Sequence, residues 1–252
     1  MDKSKYKYID TKEYDRVFVT SDIQGEYTHL KRALEKAGFT KQDVLIICGD
    51  IVDKGRSNID TLNYIRRLTE EYNVYVLMGN RDYMYSLMKS ESERELNFFL
   101  SYAKKNPNSL YSEMCLKAGV ELKYDAKTVK ILVSQYKNEI DFLSSLPVIL
   151  ETDDFYFVHA GLKNENIYEQ DINACLTMRD FISVEHTFSK YCVVGHVPVC
   201  NLHNDMSDVL PYIDTQRRKL FIDGGLTTVN GGKLNLLYLP DRNAENYELI
   251  SV

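Results

Sequence analysis

Five apolar runs in this 252-residue chain each stop at a side chain able to ligate or ionise, and that repetition constrains the fold more than any other feature. Val17-Phe18-Val19 leads into Ser21-Asp22-Ile23-Gln24-Gly25. Val44 to Cys48 leads into Gly49-Asp50-Ile51-Val52-Asp53-Lys54-Gly55, and Val74 to Met78 into Gly79-Asn80-Arg81-Asp82. Later, Phe155-Tyr156-Phe157-Val158 ends at His159-Ala160-Gly161, and Tyr191-Cys192-Val193-Val194 at Gly195-His196-Val197-Pro198. Between the first three runs the spacing becomes helical. Tyr27, Leu30, Ala33, Leu34 and Ala37 precede Gly38, and Ile59, Leu62, Ile65 and Leu68 follow Ser57, a candidate N-cap. Short continuous apolar runs suit strands covered on both faces, so the front half reads βαβαβ. In open α/β sheets functional groups gather at the carboxyl ends of strands, where every Asp, Asn and His named here falls.

The stretch 83–148 differs. Met84, Leu87 and Met88, then Leu96, Phe99, Leu100 and Ala103, recur at helical spacing, with a break at Asn106-Pro107-Asn108. It carries no ligand motif and reads as a helical insertion or cap beside the site. Strands resume after it, the last two at Leu220-Phe221-Ile222 and Leu234 to Leu239. Asn230-Gly231-Gly232 between them is a turn signal that predicts a hairpin-like close. The expected architecture is a single α/β domain over 1–252, a β-sandwich of mixed sheets flanked by helices, with 83–148 inserted.

Carboxylate, amide and imidazole donors meeting at a sheet rim suit divalent ions, and a pair of ions suits phosphate ester hydrolysis. Composition narrows the setting. A net charge of −6, with Lys and Arg dispersed, argues against a general nucleic-acid or membrane-surface binder. No apolar run approaches the roughly 20 residues of a membrane span, and the polar start MDKSKYKYIDTKEYD lacks a secretory apolar core. Five cysteines without a CxxC pair read as reduced, buried thiols. A cytoplasmic enzyme is the expectation.

In order, SDIQG, GDIVDKG, GNRD, HAG and GH resemble the motif series of the phosphoprotein-phosphatase branch of the calcineurin-like metallophosphoesterases, from about residue 16 to 239. The pattern is similar to the small bacterial and phage serine/threonine protein phosphatases and the symmetrical dinucleoside tetraphosphatases. The resemblance implies that Asp22 and the position of Gln24 serve a first metal, that Asp50 bridges two, and that Asn80, His159 and His196 complete the second. It implies two divalent ions, with Mn²⁺ the best fit and Fe or Zn as alternatives, and a shared hydroxide attacking phosphorus. Arg179 stands where family members often place a phosphate-clamping arginine, although a surface-helix arginine also fits the position. The implied substrate is phosphorylated: a phosphoprotein, a nucleotide or a dinucleoside polyphosphate.

Four departures from that series bear on catalysis. Gln24 replaces a histidine ligand, which weakens the first site, because a neutral amide is a poorer ligand than imidazole. Lys54 replaces an arginine and loses its fork. Asp82 shortens a glutamate. Arg81 replaces the histidine that, with the aspartate matching Asp53, protonates the leaving group. A guanidinium stays charged and cannot be that acid, although it could pair with Asp53 and stabilise a leaving oxygen. The expected activity is therefore biased toward anhydrides and aryl phosphates. The alternative is a pseudophosphatase, a metal- or phosphate-binding module with little turnover. His29, His186 and His203 read as solvated, Asp223 as a rim residue, and Tyr83, Met84 and Tyr85 as pocket wall or core.

Overall fold

The computed structural model describes residues 5–252. The first four residues of the polar N-terminal stretch lie outside them. The chain runs through β1 (Tyr6–Tyr8), β2 (Val17–Thr20), α1 (Tyr27–Ala37), β3 (Val44–Ile47), α2 (Asn58–Glu71) and β4 (Asn73–Val76). A helical series follows: α3 (Asn80–Ser86), α4 (Glu93–Lys105), α5 (Leu110–Ala118), α6 (Ala126–Gln135) and α7 (Lys137–Ser145). Then come β5 (Ile149–Glu151), β6 (Phe155–Val158), α8 (Ile172–Thr177), β7 (Tyr191–Val194), α9 (Cys200–His203), β8 (Tyr212–Asp214), β9 (Lys219–Phe221), β10 (Asn235–Tyr238) and β11 (Glu248–Ser251).

Two mixed sheets result, in the orders β11-β10-β2-β3-β4 and β1-β5-β6-β7-β9-β8. The strands β2, β3 and β4 are mutually parallel, as the βαβαβ reading requires, and β10 closes antiparallel against β2. In the second sheet β6, β7 and β9 are parallel. Successive side chains point to opposite faces, and both faces of β2, β3 and β6 are covered, so every residue of these three strands is buried. Val17, Val19, Val44 and Ile46 join Phe155, Phe157, Val193 and Leu220 in a core between the sheets. Their neighbours Phe18, Leu45 and Ile47 face the other way and pack with Leu30, Leu34, Leu62 and Ile65 of α1 and α2. All five cysteines are buried and unpaired.

Two local expectations change. The segment with Asn230-Gly231-Gly232 makes no hairpin, because β9 and β10 belong to different sheets. It crosses from one sheet to the other and is tied on the way by a bridge between Gly225 and Lys233. A Gly-Gly turn reverses the chain equally well within one sheet or between two, so sequence alone does not separate the cases. Ser57 does occupy the residue before α2, but its side chain caps nothing. The carboxylate of Glu113, from α5, accepts from the Asn58 amide at 2.6 Å and the Ile59 amide at 3.3 Å. An anion at a helix N-terminus satisfies the same orphan amides and favours the helix dipole, and here it also fastens α5 to α2.

Candidate metal centre

The three parallel strands β2, β3 and β4 deliver Asp22, Asp50 and Asn80 at their carboxyl ends, and β6 and β7 deliver His159 and His196 from the second sheet. The five side chains meet at one edge of the sandwich. The Nε2 atom of His159 lies 3.1 Å from Asn80 Oδ1, 3.1 Å from His196 Nδ1 and 3.5 Å from Asp50 Oδ1. Donor atoms of Asp22, Asp50 and His159 all fall within 4.8 Å of one another. His159 Nδ1 sits 2.8 Å from the Cys48 carbonyl. That contact places the ring proton on Nδ1 and leaves the Nε2 lone pair facing the cluster, the orientation a metal-binding imidazole takes.

The backbone is bent to make this convergence. Asp22, Gln24, Asp50, Asp53, Lys54 and His196 all have positive φ, six of the ten non-glycine residues that do among those described. Such conformations cost of order 1–3 kcal/mol each and cluster at functional sites. The approach is also close: a Cβ on Gly79 would lie 2.2 Å from Asp50 Oδ1. Asp82 holds the turn together, its carboxylate accepting from the amides of Asp50 at 2.7 Å, Gly79 at 2.9 Å and Ile51 at 3.0 Å. The shortened side chain therefore spans the gap because the backbone comes to it.

These residues fit divalent ions on two grounds. Ligand atoms bound to one ion at about 2.1 Å lie roughly 3.0–3.4 Å apart, close to the spacings around His159 Nε2. The second ground is charge. Asp22, Asp50, Asp53, Asp82 and Asp223 are all buried, none more than 3% exposed, and buried anions need cations. Burial raises the carboxyls of Asp22 and Asp223, and repulsion from Asp50 adds to it at Asp22, as repulsion from Asp22 does at Asp223. Burial depresses His159, but the negative charges of Asp50 and Asp22 outweigh it and carry the imidazole above its ordinary value. His196 is pushed down to about 3 by burial and then by His159, so it is neutral and able to ligate.

Arg81 and Asp53 are arranged differently from expectation. Arg81 pairs with Asp50, its Nε 3.5 Å from Oδ2 and its amide donating to Oδ1 at 2.9 Å. It makes no direct pair with Asp53. Tyr102 of α4 stands between them, its hydroxyl donating to Asp53 Oδ2 and accepting from Arg81 Nη1 at 3.2 Å. Asp53 Oδ1 accepts from the Tyr85 hydroxyl at 2.5 Å and the Leu110 amide at 2.7 Å. Burial lifts this carboxyl, while Tyr102, Tyr85 and the Leu110 amide oppose the lift. Three elements of the helical series, α3, α4 and α5, thus dock on one carboxylate. Tyr102 and the Leu110 amide were absent from the sequence reading, because nothing in the spacing of 83–148 marks them, and Tyr85 read only as wall or core.

The remaining expected groups ring the cluster. Gln24 donates from Nε2 to Asp22 Oδ1 at 3.3 Å, and its carbonyl oxygen accepts from the Thr227 hydroxyl. Lys54 makes no hydrogen bond or ion pair among the described residues. Burial and Arg81 lower its ammonium, against the pull of Asp50, Asp22 and Asp223. Arg179 is exposed just beyond α8, and its charge is felt at His196. Asp223 turns one oxygen to the Gly225 amide at 2.8 Å. His29 and His186 are half-buried rather than solvated: His29 lies 3.9 Å from Glu26, and His186 lies 3.8 Å from Glu165 and packs edge-on against Phe188. His203 meets the Leu210 carbonyl.

Comparison with known proteins places this geometry in a lineage. The sequence profile described as calcineurin-like phosphoesterase matches residues 15–213. The chain belongs to the calcineurin-like phosphoesterase family. That family uses divalent metals, and the Asp22-Asp50-His159 cluster lies at the strand ends described above. Among curated relatives of this phosphoesterase, a symmetrical bis(5'-nucleosyl)-tetraphosphatase of Vibrio campbellii is 26% identical over 147 residues, covering 58% of this chain and 44% of that protein. Serine/threonine-protein phosphatase PP1-delta of Caenorhabditis elegans is 35% identical over 68 residues, 26% of this chain and 22% of that one. The matches therefore span less than half the length of these curated relatives. In three dimensions the chain is similar to a protein described as a putative diadenosine tetraphosphatase, with a TM-score of 0.65 at 18% identity, covering 98% of this chain and 97% of the other. At that identity the likeness concerns the fold. Among the described residues no helix is long and apolar enough to cross a membrane.

Proposed function

We propose that this phosphoesterase is a hydrolase of phosphate esters or anhydrides that works with two divalent ions, Mn²⁺ being the best match to its oxygen-rich donor set. Asp22 and Asp50 would hold one ion, with Gln24 joining them by turning its carbonyl oxygen from Thr227 toward Asp22, and Asp50, Asn80, His159 and His196 would hold the other. The observation that carries the reading is the set of 3.1, 3.1 and 3.5 Å spacings around His159 Nε2, which suit donors around an ion. When bound, the ions would supply charge neutralisation and an acidified water as nucleophile. The protein's own groups do the rest. Arg81, Lys54 and Arg179 supply the positive charge that phosphoryl oxygens need, and Arg81 and Lys54 already face the buried carboxylates.

Leaving-group chemistry sets the substrate class. Arg81 can donate hydrogen bonds but not a proton, and losing a positioned acid costs about 10² to 10⁴ in rate. Phosphoanhydrides and aryl phosphates, whose oxygens depart unaided, lose least. Dinucleoside polyphosphates meet that demand, and the tetraphosphatase relative supports the choice. The five buried, unpaired thiols support a reducing compartment such as the cytoplasm. Metal content by mass spectrometry, with hydrolysis of diadenosine tetraphosphate and of a phosphoserine peptide, tests the reading. The expected result is two Mn²⁺ per chain with anhydride turnover well above ester turnover, both abolished in Asp50→Asn. Equal turnover of the two substrates would remove the leaving-group argument, and absence of bound metal would remove the reading altogether.

A further inference from the structure

Tyr102 is the one side chain of the helical series 80–145 that touches both Asp53 and Arg81. We propose that it is a positioning residue: held by the buried Asp53 carboxylate, its hydroxyl keeps the Arg81 guanidinium beside Asp50 and ready for a phosphoryl oxygen. The inference rests on the phosphoesterase reading for what Arg81 does, but not for how Arg81 is held.

Three observations carry it. Asp53 is completely buried, and its two oxygens are divided between separate tasks. Oδ1 takes the Tyr85 hydroxyl and the Leu110 amide, contacts that pack α3 and the start of α5 together. Oδ2 takes Tyr102 alone among the described residues. A phenol whose proton is committed to a carboxylate offers its lone pairs elsewhere, and the partner here is Arg81 Nη1 at 3.2 Å. Finally, Arg81 has Nε beside Asp50 and Nη1 on Tyr102, which leaves Nη2 without a protein acceptor among the described residues. Two anchors fix a planar guanidinium, and the unused edge is the one a phosphoryl group can take.

The same geometry says what happens without the hydroxyl. In Tyr102→Phe, Asp53 Oδ2 becomes a buried, unsatisfied anion, and Arg81 is the cation whose charge already acts on that carboxylate. The guanidinium then swings from Asp50 to Asp53 and leaves the site. A displacement of about 1 Å in a positioned group can cost 10²-fold in rate. The segment 80–145 is thereby more than a cover, because its α4 sets the aim of a side chain that belongs to the strand-end motif.

The test compares wild type, Tyr102→Phe, Arg81→Gln and the double variant, reading kcat and KM on p-nitrophenyl phosphate. It also follows the Arg81 Nε–H resonance by ¹⁵N NMR in the metal-free protein, assigned by its loss in Arg81→Gln. The expected result is a kcat lower by about 10- to 100-fold in Tyr102→Phe with KM within about threefold, no further loss when it is added to Arg81→Gln, and a shifted Arg81 resonance. Losses that multiply in the double variant, or an Arg81 resonance unmoved by Tyr102→Phe, would overturn the proposal. If the wild type shows no turnover, the phosphoesterase reading fails by itself, and the resonance alone decides whether Tyr102 positions Arg81.

Discussion

Replacing Tyr85 by Phe removes one of the three hydrogen bonds that the buried Asp53 carboxylate accepts and leaves the ring in place. The ring is fully buried and packs edge-on against Phe99, with centroids 5.7 Å apart, so Phe keeps its volume and its contacts. What is lost is the 2.5 Å hydrogen bond to Asp53 Oδ1 and the acceptor of the Tyr111 amide at 3.3 Å. A hydrogen bond to a charged group contributes about 1.5–3 kcal/mol, and an amide left without its acceptor costs about 1 kcal/mol more, so the loss should be roughly 2–4 kcal/mol. At about 2–4 °C per kcal/mol for a domain of this size, the melting midpoint should fall by roughly 5–15 °C. Calorimetry gives the midpoint, and hydrogen exchange of the α5 amides shows whether the loss is local. Because Tyr85 does not touch Arg81, kcat should fall much less than in Tyr102→Phe. A midpoint shift below about 2 °C with unchanged α5 exchange would refute the view that Asp53 anchors the helical series.

Glu113→Ala should destabilise by about 1–2 kcal/mol, read by denaturant unfolding, because it uncaps α2 as well as detaching α5. The Arg16–Asp43 pair sets an acid limb. Burial raises the Asp43 carboxyl, but the Arg16 fork and the Thr40 contacts carry it below the ordinary 3.8. Its stabilisation is thus complete above that value and fades as pH falls through the folded one. The stability difference between wild type and Arg16→Gln should be flat near neutrality and shrink below about pH 4; a constant difference down to pH 3 would contradict the assignment. Gln24→His should bring the second equivalent of Mn²⁺ on at lower concentration in a calorimetric titration, since imidazole is the better ligand.

How much of this was legible beforehand follows from the range of each contact. The strands β2, β3, β6 and β7 announce themselves as apolar runs, β4 by the run Val74 to Met78 that continues past it, and the chemistry is written at their ends in Asp22, Asp50, Asn80, His159 and His196. What escaped depends on pairings remote in sequence. Tyr102 reaches Asp53 across 49 residues and Glu113 reaches Asn58 across 55, with no periodicity to mark either. The direct pairing of Arg81 with Asp53 failed for a related reason: chemistry made the two compatible, but the hydroxyl supplied by α4 reaches Asp53 first. Ser57 is an acceptable cap by type, and it yields to Glu113 because its own backbone lies outside the extended region a side-chain cap uses, at φ −141° and ψ 61°.

The account stands on donors from five strand ends gathering tightly enough to hold ions, and anomalous diffraction at the manganese edge from a crystal soaked in Mn²⁺ tests that most directly. Two peaks about 3.5–4 Å apart, both within bonding distance of Asp50, are predicted. A map with no peak among Asp22, Asp50, Asn80, His159 and His196 would contradict it.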